Sequence, residues 1–141
     1  MISTKGRYAL RLMLDLAEHR NGGYIPMKEV AERQDVSLKY LERIVPLLTK
    51  SGFIEGLHGK GGGYRLCRAP DEYTVGEILR AAEGDLAPVS CLEEGAAPCP
   101  RAPYCKTLSM WKKYYELTNE YFGGITLESL LQSESGGDYS I

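Results

Sequence analysis

The chain has 141 residues and a formal net charge of −2, the size of one ordinary domain or a small domain with an appendage, and enough to bury a core without covalent staples. No apolar run approaches the roughly 18 residues that a membrane span needs, and residues 1–7 lack the apolar centre of a secretory signal, so the expected location is cytoplasmic. In that reducing compartment the four cysteines are expected to be thiols or metal ligands rather than structural disulfides.

The small net charge conceals an asymmetry. Residues 1–70 carry twelve Lys/Arg against seven Asp/Glu, and residues 71–141 carry five against twelve. A basic front half attracts phosphate and an acidic back half does not, so the distribution favours a nucleic-acid partner where the total would not.

Residues 4–20 read as a helix: Tyr8, Leu12 and Leu16, flanked by Ala9, Met13 and Ala17, recur at helical spacing, and Asn21-Gly22-Gly23 ends it. Pro26 opens a short second helix with Met27, Val30 and Ala31 inward. Gln34-Asp35-Val36 is a tight turn. Ser37 is a suitable N-cap for a third helix through Lys50, with Leu38, Leu41, Ile44, Val45 and Leu48 inward and Gly52 at its C-terminal cap. Pro46 should kink that helix or displace one hydrogen bond. Strands at 53–57 and 64–67 around the turn 58–63 make a hairpin. Cys67 is read as a small buried residue of the returning strand.

Thr74-Val75-Gly76-Glu77 is a capping box that starts a helix ending near Gly84. Residues 85–105, rich in Pro, Gly and Cys, should be loop. Residues 106–122 form a long final helix. One stripe of it is Leu108, Trp111, Tyr115, Thr118 and Phe122, widened by Tyr114, Leu117 and Tyr121. That much apolar surface needs a cover: a second copy in a symmetric dimer, the first helix of its own chain, or both. A short helix at 126–131 and a polar tail follow. The predicted organisation is a mainly α fold with a small β-hairpin: a winged helix-turn-helix at 1–84, a cysteine-containing sensor loop at 85–105, a dimerisation helix and short helix at 106–132, and a tail at 133–141.

In a winged helix-turn-helix the second helix of the motif enters the major groove and reads base edges near its N-terminus. Its outward positions here are Lys39, Tyr40, Glu42 and Arg43. Arg and Lys suit guanine, Glu can accept from cytosine, and Tyr40 and Ser37 can hold phosphates. The wing presents His58 and Lys60 among glycines that include Gly59 and Gly61, and glycine lets backbone approach a phosphate or the minor groove closely. Each charge alone is an ordinary solvated side chain; the joint pattern is what points to DNA.

Three segments give a specific resemblance. Ser3-Thr4-Lys5-Gly6-Arg7-Tyr8-Ala9-Leu10, Ser37-Leu38-Lys39-Tyr40-Leu41-Glu42 and His58-Gly59-Lys60-Gly61-Gly62-Gly63-Tyr64 are similar, in order and register, to the Rrf2 family of bacterial regulators, over residues 2 to about 132. The resemblance implies a homodimer, a repressor in the leading reading, on an imperfect palindrome of double-stranded DNA, with the long helix crossing between subunits. Base-reading positions fall on Lys39, Glu42 and Arg43, and Lys5 joins the DNA-contacting set. The family wing usually carries arginine where this chain has His58, which leaves Lys60 as the positive charge there.

Cys91, Cys99 and Cys105 follow Cys-x7-Cys-x5-Cys. Thiolates on a loop suit a soft metal or a cluster, although the spacing is wider than the pairs of structural zinc sites. By resemblance to IscR- and NsrR-like members these three would hold an iron–sulfur cluster, of two or four irons, that gates DNA binding. The fourth ligand is open. IscR-like members place a histidine where this chain has Leu108, and NsrR-like members use a carboxylate of the partner subunit where it has Tyr8; Glu93, Glu94, Tyr104 and an external thiol remain. The alternatives without a cofactor are redox-responsive thiols or a disulfide formed on oxidation. His19, near a helix C-terminus, reads as favourable charge placement. A further resemblance, to CymR-like members, lies in the ending at Tyr139 and Ile141, and implies docking of Ile141 and its carboxylate into cysteine synthase. The competing classes are a winged-helix interaction module without DNA binding, against which Lys39, Arg43 and Lys60 argue, and an enzyme, for which no activated nucleophile, phosphate-binding glycine motif or catalytic acid–base pair is present.

Overall fold

The computed structural model describes residues 1–133; Tyr139 and Ile141, the expected docking residues, lie outside them. Six helices and one hairpin follow in the order α1 (Thr4–Glu18), α2 (Met27–Gln34), α3 (Leu38–Lys50), β1 (Ile54–Leu57), β2 (Gly63–Leu66), α4 (Val75–Glu83), α5 (Leu108–Gly123) and α6 (Leu127–Gln132). This is the mainly α fold with a β-hairpin that the periodicity predicts.

α1 buries Ala9, Leu12, Met13, Leu16 and Ala17, the expected stripe, and Asp15 with them. Asp15 is 1% exposed. It accepts from Arg33 Nη2 at 2.7 Å and Nε at 3.0 Å, and from Gln34 Nε2 at 3.0 Å, so α1 and the end of α2 are joined through one buried, fully engaged carboxylate. Ser3 caps α1, and the Glu83 carboxylate at the end of α4 accepts from Gly6 N at 3.0 Å and from Ser3 Oγ. A negative charge at the start of α1 also suits the helix dipole.

Asp35 turns the chain between α2 and α3 in a left-handed conformation, φ 53°, which Asp tolerates better than most residues. Ser37 Oγ accepts from Tyr40 N at 3.2 Å and begins α3. Leu41, Ile44, Val45 and Leu48 are buried as expected. Leu38 is not: at the first position of α3, ahead of Leu41, the first buried residue of the helix, it is 37% exposed. Pro46 sits inside α3 without interrupting it.

β1 and β2 pair antiparallel with Ile54 opposite Leu66 and Glu55 opposite Arg65. Ile25 adds a third edge, donating to Tyr64 O at 2.8 Å and accepting from Tyr64 N at 2.9 Å. Gly63 allows this approach: φ is 150°, and a Cβ there would overlap the Ile25 carbonyl. Tyr73, fully buried, closes the base of the hairpin. Its hydroxyl donates to Phe53 O at 2.7 Å and accepts from Cys67 N at 3.1 Å and Arg68 N at 3.0 Å.

Cys67 is exposed rather than buried. It lies one residue beyond β2, where Tyr73 holds the backbone nitrogen and leaves the thiol outward, although partial desolvation still raises the thiol pKa. Thr74 accepts from Glu77 N at 3.2 Å to cap α4, but Glu77 turns its carboxylate to Arg68 at 3.2 Å, so only half of the predicted capping box is made.

α5 packs Tyr115 and Phe122 against Val75 and Leu79 of α4 and against Leu86, so the helix folds back on its own chain, chiefly on α4 rather than on the first helix as expected. The opposite side is uncovered: Met110, Tyr114, Leu117 and Tyr121 are 53%, 56%, 51% and 67% exposed. Their spacing of four, three and four residues makes one continuous apolar stripe. α6 is tied to the segment before α4 by Val75 N to Ile125 O at 2.8 Å and Leu127 N to Tyr73 O at 3.0 Å. No helix among the described residues is long and apolar enough to cross a membrane.

Candidate nucleic-acid interface

The N-terminal half of α3 displays Ser37, Lys39, Glu42 and Arg43 on the surface, with Tyr40 half-buried beside them. Two concavities meet here. Ser37, Lys39, Tyr40 and Arg43 line one, and Lys5, Tyr40, Arg43, Ile44 and Leu47 line the other. Lys5 therefore reaches this face from α1, and Arg43 and Tyr40 are common to both concavities. Three cations, a hydroxyl and a phenol on one exposed face can engage phosphates and the edges of bases.

The wing tip is the second cluster. His58, Gly59, Lys60 and Gly61 are exposed, and Gly59 and Gly61 hold φ of 93° and 77°. His58 and Gly59 border a groove with Pro26, Thr49 and Tyr64, which sets the tip beside the C-terminal part of α3. Behind it, Arg65 pairs with Glu55 at 2.7 Å and stacks over Tyr24 at 4.4 Å, so this arginine is occupied within the wing.

The cysteine loop does not present a ready metal site. Cys91 and Cys105 are exposed and Cys99 is half-buried, and among the described residues no three His, Cys, Asp or Glu side chains are grouped closely enough to hold an ion. The donor set is chemically suited to iron or a cluster, but its arrangement is not. Cys105 has a lowered thiol pKa, from hydrogen bonds first with the Thr107 hydroxyl, 3.5 Å from its sulfur, and then with backbone. His19 closes α1 through Nδ1 near Asp15 O at 2.9 Å, and His58 belongs to the wing.

The loop is fastened by a residue that sequence reasoning missed. Asp85 accepts from Tyr115 Oη at 2.7 Å and Ala87 N at 2.8 Å through one oxygen, and from Glu94 N at 2.8 Å through the other. Burial opposes ionisation of this carboxyl, but the hydrogen bonds from Glu94, Tyr115 and Ala87 outweigh it and hold the pKa below its ordinary value. Asp85 thus links the end of α4, the segment next to Cys91 and the middle of α5. In the sequence it is one acidic residue in an acidic half, and no periodicity marks it. Asp15 did carry a signal, as an acid inside an apolar stripe.

The sequence matches the Rrf2 family, described as an iron-dependent transcriptional regulator, over residues 2–133. An HTH-type transcriptional regulator of Neisseria meningitidis is 35% identical over 139 residues, covering 99% of this chain and 93% of that protein. The structure of CymR, the global cysteine regulator of B. subtilis, is similar at a TM-score of 0.75 and 34% identity, covering 93% of this chain and 95% of the other. That of T. potens IscR is similar at 0.73 and 33%, covering 96% and 93%. These relatives are regulators, not enzymes, and the winged-helix architecture agrees with theirs: the chain belongs to the Rrf2 family of transcription regulators.

Proposed function

We propose that the protein binds duplex DNA sequence-specifically as a homodimer, with α3 in the major groove and the wing on the flanking backbone or minor groove. The observation that carries this reading is the convergence of Lys5, Lys39 and Arg43 with Ser37 and Tyr40 on one exposed face at the start of α3. Arg43 and Lys39 then read bases, Glu42 selects cytosine, Ser37 and Tyr40 hold phosphates, and Lys60 steadies the wing. The exposed stripe Met110, Tyr114, Leu117, Tyr121 supports pairing of α5 with its copy, since a symmetric dimer buries the same stripe twice.

The test is selection of bound duplexes from a random library. A two-fold motif should be enriched, and Arg43→Ala should weaken binding to it by about 1–3 kcal/mol while relaxing one base pair in each half-site. Recovery of no motif would sink the reading.

Gating through the Cys91, Cys99 and Cys105 loop belongs to the same proposal. It is supported by the family's iron dependence and by the Asp85 fastening, through which any reordering of the loop pulls on α5. Because the three thiols are not gathered, iron uptake requires the loop to close, whereas oxidation of a thiol does not. Absorbance and iron content of protein purified without oxygen separate the two: thiol gating leaves it colourless with DNA binding sensitive to oxidant, and cluster gating makes it coloured until any of the three is changed to Ala.

A further inference from the structure

We propose that Tyr8 of α1 is a positioning residue for DNA recognition, setting the orientation of Tyr40 on α3 and through it the separation of Lys39, Arg43 and Lys5. This rests on the DNA-binding reading above and extends it to a residue that is not itself among the predicted DNA contacts.

The Tyr8 and Tyr40 rings meet edge to face, 5.3 Å between centroids at 84°, the arrangement that aromatic quadrupoles favour. Tyr40, together with Arg43, borders both concavities of the α3 face: Ser37 and Lys39 line one with them, and Lys5, Ile44 and Leu47 the other. If the ring turned, the shape of both concavities would change together, and the side chains that border them would lose their fixed spacing. Tyr40 is at the start of α3, where the Ser37 cap fixes the backbone but no buried side chain of α3 precedes Leu41 to fix the ring.

Tyr8 is itself held from behind. The Arg11 guanidinium lies over its ring at 5.4 Å. Arg11 donates to Gln34 Oε1 at 3.2 Å and to the Gln34 carbonyl, and Gln34 donates to the buried Asp15. A connected set of contacts therefore runs from the α1–α2 anchor through Arg11 and Tyr8 to the outward face of α3. Simple core packing would need only apolar volume at position 8. A ring presented edge-on to Tyr40 and capped by a cation that is fastened to the helix-turn-helix turn defines an orientation as well.

The experiment compares affinity for the selected duplex with that for a scrambled duplex of equal length, across wild type, Tyr8→Phe, Tyr8→Leu, Tyr40→Ala and the Tyr8→Leu/Tyr40→Ala double variant, with thermal unfolding of each. Tyr8→Phe keeps the ring and should keep the preference. Tyr8→Leu, which keeps apolar volume and fold, should lose about fivefold of the preference, the scale of one edge-to-face aromatic pair. In the Tyr40→Ala background the same change should have no further effect, because its route is gone. Undiminished preference in Tyr8→Leu, or equal losses in both backgrounds, overturns the proposal. If wild type itself shows no preference, the DNA-binding reading fails with it; if wild type discriminates and Tyr8→Leu does too, only the role of Tyr8 fails.

Discussion

At the scale of single residues, polar groups in dry surroundings decide how the motif is held. The Tyr73 hydroxyl serves three backbone partners, Phe53 O, Cys67 N and Arg68 N, at the root of the wing. Tyr73→Phe should destabilise the protein by about 1–3 kcal/mol in urea titration, the cost of buried partners left without it; a change within about 0.3 kcal/mol, well under that cost, would show that water replaces the phenol. Arg33→Ala should cost about 3 kcal/mol or somewhat more, because it strips a buried carboxylate of its cation. Neither residue was legible in the sequence as a fastener. Tyr73 stands in an Asp-Glu-Tyr-Thr stretch that reads as the approach to a capped helix, and its three partners lie 5 to 20 positions upstream. Cys67 was misread for the related reason that strand alternation does not say where pairing stops: β2 ends at Leu66, and the next side chain is free to point outward.

At the scale of elements, local chemistry was the readable part. Ser37, Gly52, Asp35 and Thr74 mark boundaries through the backbone conformations they favour, and the structure places those boundaries within a residue or two. The burial of Leu38 and the two sides of α5 were not readable this way, because both depend on which neighbouring element covers a helix face. α5 now divides into an inner side, Tyr115 and Phe122 on α4, and an outer stripe from Met110 to Tyr121. Leu117→Glu places a charge in the outer stripe only, so sedimentation should show a folded monomer; a dimer unchanged by it would move the interface elsewhere. Asp85 governs the inner attachment. Its folded-state pKa is depressed, so its contribution is present above the unfolded value near 3.9 and is lost as pH falls through the lower folded value. Asp85→Asn should therefore lower stability at neutral pH and flatten the acid limb of the stability profile, read by thermal unfolding from pH 2 to pH 7. An unaltered acid limb would show that Asp85 ionises alike in both states.

At the scale of the whole molecule, the charge asymmetry of the sequence becomes a division of labour. The basic first half builds α1 to β2 with the cationic face at the start of α3, and the acidic second half builds α4, the cysteine loop, α5 and α6. The central claim is that this face holds DNA with one face per subunit and two subunits per site. Each phosphate neutralised should contribute about −0.9 to the slope of log affinity against log salt, and two sets of Lys5 and Lys60 make that slope several units steep. The most direct measurement is the affinity for the selected duplex across a range of salt concentrations, with the number of chains bound per duplex determined in the same titration. Two chains per site are expected, with a slope of several negative units that falls by about two when Lys5→Ala removes one phosphate contact from each subunit. A flat salt dependence, or a slope indifferent to Lys5→Ala and Lys60→Ala alike, would contradict the claim.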